Sequence, residues 1–141
     1  AMYGLNELVY RLTRVLVGNH TNLNDMTVSA QIHDAPRTTL LMVIFLAPFV
    51  EEVLFRGLVF GCLKGKSRTV AYLLSCGLFA LLHVWQYVAS QQFLGIFMAA
   101  LQYVPAGIAL GWTYEKSNTI WAPIALHMVI NAISMGIISI L

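Results

Sequence analysis

The sequence predicts an all-α, polytopic transmembrane helical bundle with about four spans and an N-terminal amphipathic helix. Composition is the first indication: of 141 residues, 59% are hydrophobic and only 10% are charged, and the mean hydropathy is +0.76. A water-soluble domain usually carries about 25% charged residues, so this chain has too few polar groups to cover a soluble surface. The second indication is four apolar stretches that each reach the roughly 20 residues needed to cross a bilayer.

The four predicted spans are joined by short links. The spans cover residues 39–63, 69–90, 93–114 and 120–141, and the links cover 64–68, 91–92 and 115–119. Links this short make neighbouring helices antiparallel. The pairs Gly57/Gly61 and Gly107/Gly111 match the small-xxx-small pattern, which indicates close contacts between helices.

Basic residues predict the orientation in the membrane. Lys64, Lys66 and Arg68 lie in the first link and Lys116 lies in the third. If all four segments span, these two links share one side of the membrane, and lysine and arginine favour the cytoplasmic side. The turn at 91–92, the polar stretch 18–37 and the C-terminus then face outward.

The N-terminal part differs from the apolar core. Residues 5–17 show the periodicity of an amphipathic helix, which either lies in the membrane interface or ends an upstream span. Residues 18–36 form a polar connector. We therefore expect two parts: the amphipathic helix with its connector over 1–37, and a membrane core over 38–141.

Several kinds of function are excluded or disfavoured by what the sequence lacks. A net charge of +2 without a basic stripe argues against nucleic-acid binding. Cys62 and Cys76 fall in apolar stretches without paired spacing, which is typical of small core residues. There is no HExxH zinc motif and no GxSxG, and Asp25 and Asp34 both lie in the polar connector, so no intramembrane aspartyl pair forms.

Three charged residues interrupt the centre of the first span. Each of Glu51, Glu52 and Arg56 costs roughly 2.5–3.5 kcal/mol at a helix centre, so the group is too costly to be incidental. Glu52 and Arg56 are one turn apart and can form a salt bridge, whereas Glu51 is rotated by about 100° and lacks that cation. A buried ion network that fixes helix packing is an equally good account of Glu52 and Arg56, but a poorer one of Glu51.

Polar residues also interrupt the second and fourth spans. The second carries Phe79 and His83 four residues apart, and the fourth carries His127 and Asn131 at the same spacing, which places the last two on one helix face. A single intramembrane histidine is often only a hydrogen-bonded packing residue. Together with the acidic pair of the first span, these residues favour a polar cavity inside the bundle.

The three motifs resemble the signature of the CPBP family of intramembrane proteases, which includes the type II CAAX prenyl endopeptidases and bacterial bacteriocin-processing or immunity proteins. The signature is EExxxR, FxxxH and HxxxN or HxxxD, and all three occur here in order, within residues 39–135. The resemblance implies that 38–141 is a protease core. It also implies hydrolysis of a peptide bond in a membrane-embedded or lipid-anchored substrate, such as a prenylated CAAX protein, a bacteriocin or a signal peptide.

The resemblance also implies roles for the motif residues. Glu51 would activate a water as general base, His83 would help to hold that water, and His127 and Asn131 would donate hydrogen bonds to the oxyanion. Glu52 and Arg56 would orient the first helix and Phe79 would pack beside the cavity. We expect no cofactor; the alternative is zinc, for which the ligands would be Glu51, His83 and His127.

Other functions stay open at this stage. One is a non-catalytic membrane protein that confers immunity or binds a peptide. Another is a haem protein with His83 and His127 as axial ligands, although this leaves the charged cluster of the first span unexplained. A proton-coupled transporter is disfavoured because the sequence has no internal repeat. The small size favours a multi-pass protein of a bacterial cell membrane.

Overall fold

The computed structural model describes residues 23–90 and 92–135, and this part of the chain is helical without any strand. It therefore confirms the all-α class. The predicted amphipathic helix over 5–17 and the end of the fourth predicted span lie outside the described residues.

Six helices follow one another through the described residues. The third of them, Arg68–Val84, continues as a 3₁₀ turn over Trp85–Tyr87. The helices are α1 (Leu23–Asp34), α2 (Pro36–Lys64), α3 (Arg68–Val84), α4 (Phe93–Leu101), α5 (Val104–Ser117) and α6 (Trp121–Ser134).

Three of these helical runs are long and apolar enough to cross a membrane. They are Pro36–Lys64, Arg68–Tyr87 and Phe93–Ser117, the last of which joins α4 and α5. The apolar helix α6 is shorter, with 14 residues in the described part. Large apolar side chains on the outside of the bundle, such as Leu41, Leu58 and Leu73, are more than half exposed, as expected for a surface that faces lipid.

The polar connector contains helix α1, which its polar sequence did not predict. The helix ends just before Pro36, because a residue that precedes proline avoids the helical conformation; Ala35 accordingly has φ −144° and ψ 69°. A hydrogen bond of 2.6 Å between Thr27 Oγ1 and the hydroxyl of Tyr87 joins α1 to the end of α3. The connector is thus attached to the same end of the bundle as the C-terminus of α3.

Helix α2 is widened on both sides of its acidic pair. Its segments Met42–Leu46 and Val53–Phe60 have π-helical hydrogen bonding, and the N–H of Ala47 bonds to the carbonyl of Met42. Pro48 follows the first segment and has no N–H for the usual bond to the preceding turn. Wide turns of this kind often occur at functional sites in helices.

Small residues bring α5 close to α3, as the spacing of Gly107 and Gly111 predicted. A Cβ atom on Gly107 would lie 3.2 Å from the Sγ of Cys76, and one on Gly111 would lie 3.0 Å from the ring of Tyr72. Beside this contact lies a core of fully buried side chains: Phe55, Phe79 and Leu110.

The first and third links lie at the same end of the bundle. Arg68 at the start of α3 forms an ion pair of 2.6 Å with Glu115 near the end of α5, and Lys64 Nζ lies 5.0 Å from the ring centre of Tyr114. This agrees with the prediction that the basic residues of the two links lie on one side of the membrane. That this side is the cytoplasmic one stays a prediction.

The boundary predicted for the third link is wrong. Glu115 and Lys116 belong to the last turn of α5, and Asn118 ends that helix in the left-handed conformation, with φ 53°. Asparagine tolerates this conformation better than most residues and often terminates helices in this way.

We expect Gly107→Ala to lower the free energy of unfolding by about 1–3 kcal/mol, because the added methyl group overpacks the contact with Cys76. The matched control is Gly77→Ala on α3, where the new methyl group has no atom within 4 Å beyond its chain neighbours and the backbone of its own helix turns; this change should be neutral or stabilising. Unfolding in detergent micelles, followed by circular dichroism, measures both. Equal stabilities of the two variants would contradict the close packing of α3 and α5.

Candidate active site

A buried ion pair lies at the centre of the bundle. Arg56 Nη1 donates to Glu52 Oε1 at 2.9 Å, and both side chains have no solvent exposure, which confirms the salt bridge that their spacing predicted. Arg56 Nη2 donates to the carbonyl of Gly107 at 3.1 Å, so the guanidinium also joins α2 to α5. Its carbon lies 4.6 Å from the ring centre of Phe79, within cation–π distance.

Glu52 also fixes His127 on α6. The same oxygen, Oε1, accepts a hydrogen bond of 2.8 Å from His127 Nδ1. Because Nδ1–H donates to the Glu52 carboxylate, the other ring nitrogen, Nε2, is the one directed at Glu51. Glu52 therefore positions a histidine as well as contributing to the ion pair, a link between distant parts of the chain that the sequence pattern did not show.

Glu51 faces two imidazoles. Its Oε2 atom lies 3.8 Å from His83 Nε2 and 3.9 Å from His127 Nε2, and it has no hydrogen-bond partner among the described residues. These separations are too long for direct hydrogen bonds, which end near 3.2 Å, but short enough for one water to contact the carboxylate and an imidazole together. The structure thus brings together three of the four predicted catalytic side chains.

The FxxxH motif places His83 through its own helix turn. His83 Nδ1 donates to the backbone carbonyl of Phe79 at 2.9 Å, which leaves Nε2 directed at Glu51. The Phe79 side chain is buried and packs against the rings of His83 and His127, with centroid distances of 4.7 and 5.7 Å. It packs beside the polar cluster; that it takes no part in the chemistry stays a prediction.

Asn131 lies one turn after His127, and its amide holds α6 against α2. Its Nδ2 donates to the carbonyl of Val43 at 2.8 Å, in the first widened segment of α2. An amide nitrogen carries two hydrogens, so this bond leaves one donor for another acceptor. In this structure the side chain is bonded to a backbone carbonyl, an arrangement that the HxxxN spacing does not predict.

Sequence reasoning missed Tyr103, whose ring centroid lies 4.3 Å from that of His83 with an interplanar angle of 31°. The available indication was Pro105, a helix-breaking residue in the middle of the third predicted span. It also missed the carbonyl of Gly107 as an acceptor for Arg56.

The residue types of this cluster suit zinc, but the distances between the atoms that would bind it do not. Two imidazoles and a carboxylate are suitable ligands, and each imidazole donates its other N–H to an oxygen, as zinc-binding histidines usually do. Tetrahedral zinc, however, keeps its ligand atoms only about 3.3 Å apart. The separations of 3.8 and 3.9 Å are wider, and no group of three or more His, Cys, Asp or Glu in the described residues is placed to hold an ion. As arranged, these three side chains do not form a tetrahedral zinc site.

Fold and site together define the class of protein: an integral membrane protein with a helical bundle whose interior holds a carboxylate facing two imidazoles. Within this class, residues 34–133 match the family described as "Type II CAAX prenyl endopeptidase Rce1-like". The chain belongs to that family, which confirms the membership that the three motifs predicted.

Two curated bacterial proteins are similar to this chain. "UPF0177 protein YxdF" of Lactococcus lactis is 30% identical over 68% of the chain, and "Putative membrane peptidase YdiL" of Bacillus subtilis is 30% identical over 71% of it. The chain spans 48% of the first protein and 38% of the second, less than half of each. No solved structure matches the chain.

The buried ion pair makes a prediction about stability. We expect Glu52→Gln and Arg56→Met each to lower the free energy of unfolding by about 3–5 kcal/mol, because each leaves a buried charge without its partner. The double variant should lose less than the sum of the two, since neither charge then remains.

Unfolding in mixed micelles measures this cycle. The control is Arg68→Met, which removes one partner of an ion pair whose arginine is 63% exposed and should lose far less. Strictly additive losses at Glu52 and Arg56 would show that the two charges do not depend on each other.

Proposed function

We propose that the chain is an intramembrane endopeptidase that hydrolyses a peptide bond in a membrane-embedded or lipid-anchored substrate. The observation that carries this proposal is the unpartnered carboxylate oxygen of Glu51, which faces two imidazole nitrogens inside an apolar bundle. Membership of the CAAX endopeptidase family supports the same reaction class. The substrate is a prenylated CAAX-type protein or, as in bacteriocin or signal-peptide processing, a membrane peptide.

The nucleophile in this proposal is a water bound between Glu51 and His83. Glu51 removes one proton from this water as general base, while Nε2 of His83 accepts a hydrogen bond from the water's other O–H and orients it. His83 can act as acceptor because its Nδ1–H is used by the carbonyl of Phe79. The water oxygen bonds to the substrate carbonyl carbon to form a tetrahedral intermediate. The C–N bond then breaks as the intermediate collapses to the carboxyl product, and the proton held by Glu51 passes to the nitrogen of the departing amine.

His127 and Asn131 stabilise the negative charge on the carbonyl oxygen. Since His127 Nδ1–H already bonds to Glu52, an oxyanion contact requires a proton on Nε2 as well, and the ring is then a cation beside the carboxylate of Glu52. Asn131 contributes the amide hydrogen that is not used by Val43. The carboxylate of Glu52 thus compensates the positive charge of the protonated His127 ring, and Glu51 acts as general base on the water.

A different class of function would use the same residues without catalysis. A non-catalytic immunity or peptide-binding protein explains the buried network of Glu52 and Arg56, but it gives no reason for a second carboxylate, Glu51, that faces two imidazoles. A haem bound by His83 and His127 would have to occupy the space where Glu51 faces both imidazoles. The hydrolytic function accounts for all three side chains.

We expect Glu51→Gln to lower the rate of peptide cleavage by about 10²–10⁴-fold, the usual contribution of a general base. The matched control is Glu115→Gln, the same substitution at the ion pair with Arg68 near the end of the bundle, which should leave the rate unchanged. The natural full-length protein, in lipid nanodiscs, is incubated with fluorogenic farnesylated CAAX peptides and with transmembrane peptides. The proposal would be overturned if the unsubstituted protein cleaved none of these peptides faster than the Glu51→Gln variant does.

The metal-free mechanism makes a separate prediction. We expect cleavage to persist at an unchanged rate after treatment with 1,10-phenanthroline, because Glu51 and His83 activate the water without an ion. Thermolysin treated in parallel shows that the chelator removes zinc. A loss of activity that added Zn²⁺ restores would instead assign Glu51, His83 and His127 as zinc ligands.

A further inference from the structure

The third apolar helical run is interrupted at the level of the candidate site. Proline cannot donate a backbone hydrogen bond, and its ring clashes with the carbonyl four residues earlier. Helix α4 accordingly ends at Leu101, four residues before Pro105, and α5 begins at Val104. Tyr103 lies in the break, where its N–H bonds to the carbonyl of Ala100 at 3.1 Å.

This break brings the Tyr103 ring onto the imidazole of His83. The two ring centroids are 4.3 Å apart and the planes differ by 31°, which is the closest ring contact that His83 makes among the described residues. Phe79 contacts the same imidazole at 4.7 Å, and the Phe79 and Tyr103 centroids are 6.5 Å apart, so the two rings approach His83 from different directions.

The two histidines of the site are held in different ways. His127 is bonded to Glu52, whose carboxylate is itself fixed by Arg56. Among the described residues, His83 makes one hydrogen bond, from Nδ1 to the carbonyl of Phe79. A single bond selects the tautomer, but the second side-chain torsion of histidine has a broad energy well, so the tilt of the ring needs packing to define it.

We propose that Tyr103 is a positioning residue that fixes the tilt of the His83 imidazole, and so the place of Nε2 opposite Glu51. This inference rests on the proposed function, because the position of Nε2 matters only if His83 orients the water. The observation that carries this role is the tilted ring contact of Tyr103 with the imidazole.

Two substitutions separate the ring from the hydroxyl. Tyr103→Phe keeps the stacked ring and should retain kcat within about twofold, whereas Tyr103→Leu removes it and should lower kcat by about 10–100-fold, with KM changed far less, as a displaced catalytic group does. Tyr103→Met, with a flexible side chain of similar reach, should behave like Tyr103→Leu. The control is Trp112→Leu in α5, which is 55% exposed on the outside of the bundle and should retain full activity.

A second readout does not depend on turnover. In the full chain labelled at histidine, loss of the stacked ring should move the ring-proton NMR signals of His83 downfield in Tyr103→Leu and Tyr103→Met. The signals of His127, whose ring is held by Glu52, should stay in place. A purely structural defect would instead shift both histidines and lower the unfolding temperature.

The outcomes distinguish this inference from the proposed function. If Glu51→Gln abolishes cleavage while Tyr103→Leu and Tyr103→Met keep the kcat of the unsubstituted chain, the inference about Tyr103 fails and the proposed function stands. A Tyr103→Phe variant as impaired as Tyr103→Leu would also overturn it, because the hydroxyl group would then be responsible. If Glu51→Gln leaves cleavage unchanged, the proposed function fails first.

Discussion

The fully buried carboxylate of Glu52 is the constraint on which the rest of the site depends. A charge inside an apolar bundle is tolerated only when other groups compensate it, and here the compensating groups come from two helices: Arg56 from α2 itself and His127 from α6. Arg56 in turn bonds to the backbone of α5 at Gly107, which packs closely against α3. The contacts of this carboxylate and of its partner Arg56 therefore join α2 to α6 and to α5, and α5 packs against α3.

Two adjacent acidic residues acquire different roles because a helix turns by about 100° per residue. Glu52 points to the cation one turn ahead, and its Oε1 accepts from two donors, while its Oε2 is buried without a partner among the described residues. Glu51 points to the histidines of two other helices, and its Oε2, also without a hydrogen-bond partner in the described part of the chain, lies between their Nε2 atoms. The same backbone element thus carries one carboxylate in a buried ion pair and one that faces two imidazoles, which is the arrangement that the proposed general base requires.

Two aromatic rings pack against this polar cluster. Phe79 contacts the guanidinium of Arg56 and both imidazoles, and Tyr103 covers the imidazole of His83. Such contacts are directional as well as apolar, so they fix orientation where hydrogen bonds are few. The EExxxR, FxxxH and HxxxN motifs of the family therefore form one packed unit, and Tyr103 extends this unit beyond the motifs.

The membrane class, three of the long helical runs, the ion pair of Glu52 with Arg56 and the family could all be predicted from the sequence, because hydropathy and i, i+4 spacing are local properties of a helix. Packing between helices was needed to show which nitrogen of each histidine faces Glu51, that Glu52 holds His127, and that Asn131 bonds to Val43. It also decided the place of Tyr103 and the helix within the polar connector. These contacts join residues far apart in the chain, and periodicity along one helix carries no information about the distance to another.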